Sequence, residues 1–169
     1  GAFVDENKFR IALSDAYIDL DDAIYVVYDL ETTGISSNYN EIIEIAACKV
    51  QHGMIIDEFS TYVNPRRQVS EFTTSLTSIT NDDLRNAPFI EEALKDFQVF
   101  FNGCILVAHN ATFDNSHLYR NLKDLGLYRG IIPTIDTLQL ARVCYGDKLK
   151  RFNLKALSKF FDVELEQHH

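Results

Sequence analysis

Tyr25–Gly34, YVVYDLETTG, ends an apolar and β-branched run on two carboxylates, Asp29 and Glu31. Residues two apart on a strand leave the same face, so two like charges would sit side by side next to a core. That arrangement costs free energy unless something positive lies between them. Either the strand has already ended and both acids are solvated or cap a turn, or a divalent cation is held by the pair. Val107–Asp114, VAHNATFD, poses the same question, because His109, Asn110 and Asp114 follow a second short apolar run, CILVA. Aspartate is also a routine helix N-cap, and Asp114 suits that role if a helix opens there. Should the two apolar runs be neighbouring strands, three carboxylates meet at their exits. Mg²⁺ and Mn²⁺ are the ions suited to carboxylate and water ligands.

The elements around these residues follow from pattern. Ile24–Asp29 is expected to be a buried strand. Ile42–Val50 and Ile55–Val63 are two β-rich runs joined by QHG, which favours an antiparallel hairpin closed off by Pro65. Thr80 is a candidate N-cap with Asp83 three residues on. Pro88 at the start and Gly103 past the end bracket a helix, with Phe89, Ala93, Phe97 and Phe100 near helical spacing. A short strand, CILVAHN, comes next. SHLYRNLKDLG, ended by Gly126, and DTLQLARVCYG, ended by Gly146, read as helices, and Asn153 caps one more over NLKALSKFFDV. Asp136 opens the DTLQLAR helix as a cap or as a group behind the site. The order predicts an α/β domain with a mixed central sheet flanked by helices. Residues 1–23 have no clean period and read as an extended lead-in, a small hairpin or the tail of a preceding domain.

A chain of 169 residues, 46% apolar and 24% charged, is of a size and composition that folds as one soluble domain. No run of about 18 apolar residues is present, so no membrane-spanning helix is expected. The three cysteines, Cys48, Cys104 and Cys144, are far apart in apolar contexts. They are expected to be reduced core residues, which fits a cytoplasmic setting. Net charge is −9, which excludes a general electrostatic clamp on nucleic acid. The charge is unevenly spread, with eight acids against two bases over residues 1–31 and five bases against one acid over residues 141–155. Arg142, Lys148, Lys150, Arg151 and Lys155 form either a solvated face or a surface that steers phosphates.

DLETTG (Asp29–Gly34), HNATFD (His109–Asp114) and the terminal QHH resemble the three motifs of the DEDDh, or DnaQ-like, 3′–5′ exonucleases on a ribonuclease H-like fold. The likeness is closest to the proofreading exonuclease domain of PolC-type DNA polymerase III from low-GC Gram-positive bacteria. It runs from about Ile24 to His169, supported by NEIIEIAACKV, TSITNDDL, DTLQLAR and LSKFFDVELEQHH. Residues 24–169 are therefore expected to be an exonuclease domain lacking its C-terminal end. The resemblance implies Asp29, Glu31 and Asp114 as metal ligands for two Mg²⁺ or Mn²⁺ ions, and His169 as general base. It puts a fourth acid five residues past that histidine, beyond this chain. It also implies that Thr32, Thr33 and Phe113 line the pocket for the terminal nucleotide. The implied partners are the 3′ end of single-stranded or frayed primer DNA and the remaining polymerase domains.

Alternatives stay open at this stage. A doubled histidine at a chain end is also what a purification tag leaves. Phe113 could as well fill the core. His109 is expected to be a hydrogen-bonded structural residue, His52 a turn residue, and His117 part of a helix surface or its packing. An exoribonuclease of the same family, or a catalytically silent module within a polymerase, would carry the same motifs. The 169-residue piece itself is expected to be weakly active or inactive.

Overall fold

The computed structural model describes residues 2–5, 8–13 and 16–164. Its centre is a five-stranded mixed sheet ordered β6-β5-β4-β7-β8. The strands are β4 (Tyr25–Thr32), β5 (Ile42–Gln51), β6 (Met54–Tyr62), β7 (Ile105–Ala108) and β8 (Thr134–Asp136). β4, β5 and β6 run antiparallel in turn, while β7 is parallel to β4 and β8 is parallel to β7. The carboxyl ends of β4, β7 and β8 therefore lie along one edge, where open α/β sheets place their sites.

Before this sheet come β1 (Ala2–Asp5), β2 (Lys8–Leu13) and β3 (Ala16–Asp19), a separate three-stranded antiparallel sheet. The described part of residues 1–23 thus forms three strands, where the sequence suggested an extended lead-in or a small hairpin. The expected hairpin between β5 and β6 is present. His52 and Gly53 form its two-residue loop with φ of 50° and 73°, the positive values that match the twist of the flanking strands.

Val26, Tyr28 and Leu30 of β4 point to the buried face of the sheet. Against them pack α3 (Ile90–Phe101) and α4 (Ala111–Asp124), with Leu94, Phe97, Leu118 and Leu122 in one cluster. Phe97 sits at its centre, its ring 5.8 Å from Tyr28, 5.4 Å from Phe59 and 5.0 Å from Phe101. A ring buried among rings contributes roughly 3–5 kcal/mol relative to alanine.

Local signals set most helix starts. Before α3 lie α1 (Glu71–Thr77), which the pattern did not suggest, and α2 (Asn81–Arg85). Thr80 and Asp83 form a reciprocal capping box at α2, while α3 begins two residues after Pro88 with Phe89 as N-cap. After α4 come α5 (Thr137–Tyr145), capped by Asp136, and α6 (Leu154–Phe161), capped by Asn153.

The alternative role of Asp114, a helix N-cap, is not the one it takes. α4 opens at Ala111, so Asp114 lies inside its first turn and is not an N-cap; Asn110 holds that position with φ 63°. The cysteine expectation also fails in part: Cys104 is buried, Cys48 is half-buried and Cys144 is exposed. α5 buries Ala141 alone, so the face carrying Cys144 and Val143 is left to solvent.

Candidate active site

Along β4 the side chains alternate. Leu30 enters the core, while Asp29 and Glu31 leave on the opposite face, Asp29 exposed and Glu31 half-buried. The pairing of β4 with β7 stops at Val27↔Val107, so the chain beyond it needs other partners. Asp114, only 2% exposed, supplies one: its Oδ1 accepts the Leu30 amide at 3.1 Å. The bond fastens the first turn of α4 to the peptide between the two β4 acids.

These groups feel one another's charge. Burial first, then the charge of Asp29, and to a smaller extent that of Glu31, push Asp114 up to about 7 against the lowering pull of the Leu30 amide. Burial, then Asp29, then Glu44 push Glu31 up to about 7. Desolvation also raises Asp29. Among the described residues none of the three is ion-paired to a cationic side chain. Carboxylates held near neutrality by burial and mutual repulsion are oxygen donors short of a cation, which fits Mg²⁺ or Mn²⁺. They are coupled without forming a closed shell. Among the described residues, no group of three or more His, Cys, Asp or Glu is arranged to hold a metal ion.

Glu44, which the sequence reading passed over, stands opposite Glu31 across the β4–β5 ladder. The signal was there in the chain: an acid inside the otherwise apolar IIEIAA is out of place in a core strand.

The segment after β4 folds back on itself. Thr32 Oγ1 donates to the Gly34 carbonyl at 2.7 Å. The Thr33 amide donates to the Glu41 carbonyl at 2.9 Å, and Thr33 Oγ1 accepts the Glu41 amide at 3.0 Å. Arg67 reaches in from beyond β6 to pair with the Glu41 carboxylate. A Cβ on Gly34 would stand 2.5 Å from the Asn40 side-chain oxygen, so a larger residue there would require the Asn40 amide to shift. Phe113 is half-buried and is not core filling; its ring lies 4.9 Å from that of His117. His117 is fully buried, and its Nε2 meets the Ile35 carbonyl at 3.0 Å. Burial lowers its pKa, so the neutral ring donates through Nε2 while Nδ1 stays buried without a partner.

Two residues strap the start of α4 to α5 and to the segment ahead of α6. Asp136 caps α5 through the Leu138 and Gln139 amides, and its two oxygens also take the Asn110 and Ala111 amides at 3.1 Å each. His109 has both ring nitrogens engaged, Nδ1 with Thr137 Oγ1 at 3.0 Å and Nε2 with the Phe152 carbonyl at 2.8 Å. It is structural, as expected. His52 is a turn residue within 3.3 Å of Asp22. His168 and His169 lie outside the described residues.

The chain belongs to the exonuclease family RNase_T, which it matches over residues 26–169. It is 46% identical over 164 residues to the DNA polymerase III PolC-type of Streptococcus sanguinis (strain SK36), covering 97% of this chain and 11% of the relative. To the DNA polymerase III PolC-type of Halalkalibacterium halodurans it is 44% identical over 159 residues, covering 94% of this chain and 11% of the relative. The chain thus spans about a tenth of the length of these curated relatives. Among solved structures it resembles exonuclease X in complex with 5′ overhanging duplex DNA, at 26% identity and a TM-score of 0.66, covering 85% of this chain and 76% of that one. E. coli exonuclease I in complex with a dA16 oligonucleotide superposes with a TM-score of 0.74 at 17% identity, covering 88% and 37%, which shows a shared fold.

Proposed function

We propose that this chain is the 3′–5′ proofreading exonuclease unit of a PolC-type replicative polymerase, acting in the cytoplasm on the 3′ end of single-stranded or frayed primer DNA. The observation that carries it is the coupling of Asp29, Glu31 and Asp114 at the exit of β4, with Asp114 bonded to the intervening Leu30 amide. Asp29, Glu31 and Asp114 would hold two Mg²⁺ or Mn²⁺ ions. Such ions activate water on one side of a phosphodiester and offset charge on the leaving 3′-oxygen on the other. With such ions bound, Glu31 and Asp114 would be held in the ionised state that binding requires.

The chain's own residues then orient the strand. Thr32 and Thr33 present a loop whose conformation is set by Gly34 and Glu41, and Phe113 offers an apolar surface to the terminal base. His169 is assigned the proton from the attacking water. Selectivity comes from fraying, because a mismatched end gives up less stacking to reach the site. Supporting DNA as the substrate, the relatives are DNA polymerases.

A second reading, a silent module used for contacts within the polymerase, is favoured by the absence of a closed ligand shell among the described residues. Release of the terminal nucleotide from a 3′-labelled single strand, with Mg²⁺ or Mn²⁺, separates the two. Weak activity that grows when the chain is extended past His169 supports the exonuclease. Silence in both forms, with folding verified, leaves the module.

A further inference from the structure

The cations of this molecule fall into two sets. Arg66, Arg67, Arg85 and Arg120 are each paired with an acid: Glu91, Glu41, Asp82 and Asp124. Lys49 and Lys123 lie over the rings of Phe100 and Tyr128, and Arg129 bonds to main-chain carbonyls. The second set is Arg142, Lys148, Lys150, Arg151, Lys155 and Lys159. All six are exposed, and among the described residues none is ion-paired. Apart from Lys95, they are the uncommitted cations of residues 19–164, and they fall within 18 residues of sequence that contain one acid, Asp147.

Their placement is fixed. Tyr145, at the end of α5, packs edge-on against Phe160 and Phe161 at the end of α6, with ring centroids 5.3 and 5.2 Å apart. These contacts hold the two helices together as one body, with Arg142 on α5, Lys155 and Lys159 on α6, and Lys148, Lys150 and Arg151 on the segment between them. That body is fastened to the site at both ends of the HNATFD segment's first half. His109 holds the Phe152 carbonyl, next to Arg151, and Asp136 holds the Asn110 and Ala111 amides that open the helix of Asp114.

A chain of net charge −9 repels a polyanion on average, so any strand must be met by local positive charge. We infer that the α5–α6 face is the track for the phosphates of the single-stranded DNA segment lying on the 5′ side of the terminal nucleotide. The inference rests on the exonuclease reading for its substrate and on the exposed, unpaired cations for its location. Cations already neutralised by a carboxylate release few counterions on meeting DNA, whereas these six are free to do so.

The test is binding of oligonucleotides of about 3 and about 12 nucleotides, which bracket the lower part of the usual single-strand site size. It is done in metal-free buffer across a range of salt. The unaltered chain is expected to bind the longer strand more tightly. In Lys148→Gln/Lys150→Gln/Arg151→Gln that gain falls about tenfold, and the slope of log affinity against log salt becomes shallower by about 2, roughly 0.7 per lost phosphate contact. Lys155→Gln/Lys159→Gln on α6 should act in the same direction, with thermal melts confirming that both variants fold. Mn²⁺-dependent hydrolysis of a p-nitrophenyl ester of thymidine 5′-phosphate, too small to reach the track, should stay unchanged. No length gain in the unaltered chain, or an unaltered salt slope in both variants, overturns the inference and leaves the face to an acidic protein surface. Loss of the length gain with no ester hydrolysis by any form, the chain extended past His169 included, keeps the track and removes the exonuclease reading.

Discussion

The β4–α4 corner and the α5–α6 face sit side by side and treat charge in opposite ways. At the corner, carboxylates are crowded and partly dehydrated, and two of them are pushed to about 7. On the α5–α6 face, cations stand in water without partners. The corner holds unfavourable electrostatics inside the fold, where low polarisability makes a counter-ion worth most. The face spreads charge where folding hardly feels it, leaving it for an external anion. Stability and function are therefore expected to oppose each other at the corner and to be independent on the face.

Asp114→Asn should break that contrast most severely. The amide can still accept from Leu30, but a ligand charge is gone, so metal-dependent nucleotide release should fall by about a thousandfold or more. The same change removes a buried charge repelled by Asp29, so the metal-free melting temperature should rise. A fall in both would show that the carboxylate is part of the scaffold alone.

Asp136→Ala tests the straps joining corner and face. It leaves the amides of Asn110, Ala111 and Leu138 without their acceptor, and chemical denaturation should register a loss of about 1–3 kcal/mol. An unchanged midpoint would mean that water replaces the carboxylate freely.

The pH dependence is a gentler probe. Glu31 and Asp114 have folded pKa values raised to about 7, above those of the unfolded chain. Between the unfolded carboxylate range near 4 and pH 7, the folded state binds more protons than the unfolded one. Metal-free stability should thus be highest at the acid end of that window and decline as pH rises through it. Mg²⁺ or Mn²⁺ should flatten the decline in melts at pH 5 and pH 7.5, and a slope indifferent to the ion would argue against binding there.

Smallest is Arg67→Ala. It removes a solvent-exposed pair with Glu41, for which about 1 kcal/mol or less is expected. Any marked change in nucleotide release at constant stability would mean that the pair also shapes the Thr33 loop.

Much of this was legible in the chain because the signals are local. The β5–β6 hairpin follows from a two-residue joint able to take positive φ, and Thr80, Asp136 and Asn153 are caps readable from one turn of sequence. Asp114 stayed open between ligand and cap because HNATFD does not reveal that Asn110 takes a left-handed conformation and that the helix starts at Ala111, five residues earlier than SHLYRNL suggests. Cys144 looked apolar in its neighbourhood, yet one face of α5 has no layer over it among the described residues. The contacts of Glu44 and Asp136 with partners distant in sequence, Glu31 across a ladder and Ala111 across a loop, could not be read from the chain.

By itself the sequence determined the family, the α/β order and the three acids to watch, because alternation, caps and short motifs depend on covalent geometry and nearest neighbours. Only the tertiary structure decided that Asp114 binds the amide between Asp29 and Glu31, that His109 is spent on straps, and that α5 and α6, which carry or flank the unpaired cations, pack together through Tyr145, Phe160 and Phe161. Those outcomes depend on which strand lies beside which and on what each charge meets through space, and a linear chain does not specify either until it has packed.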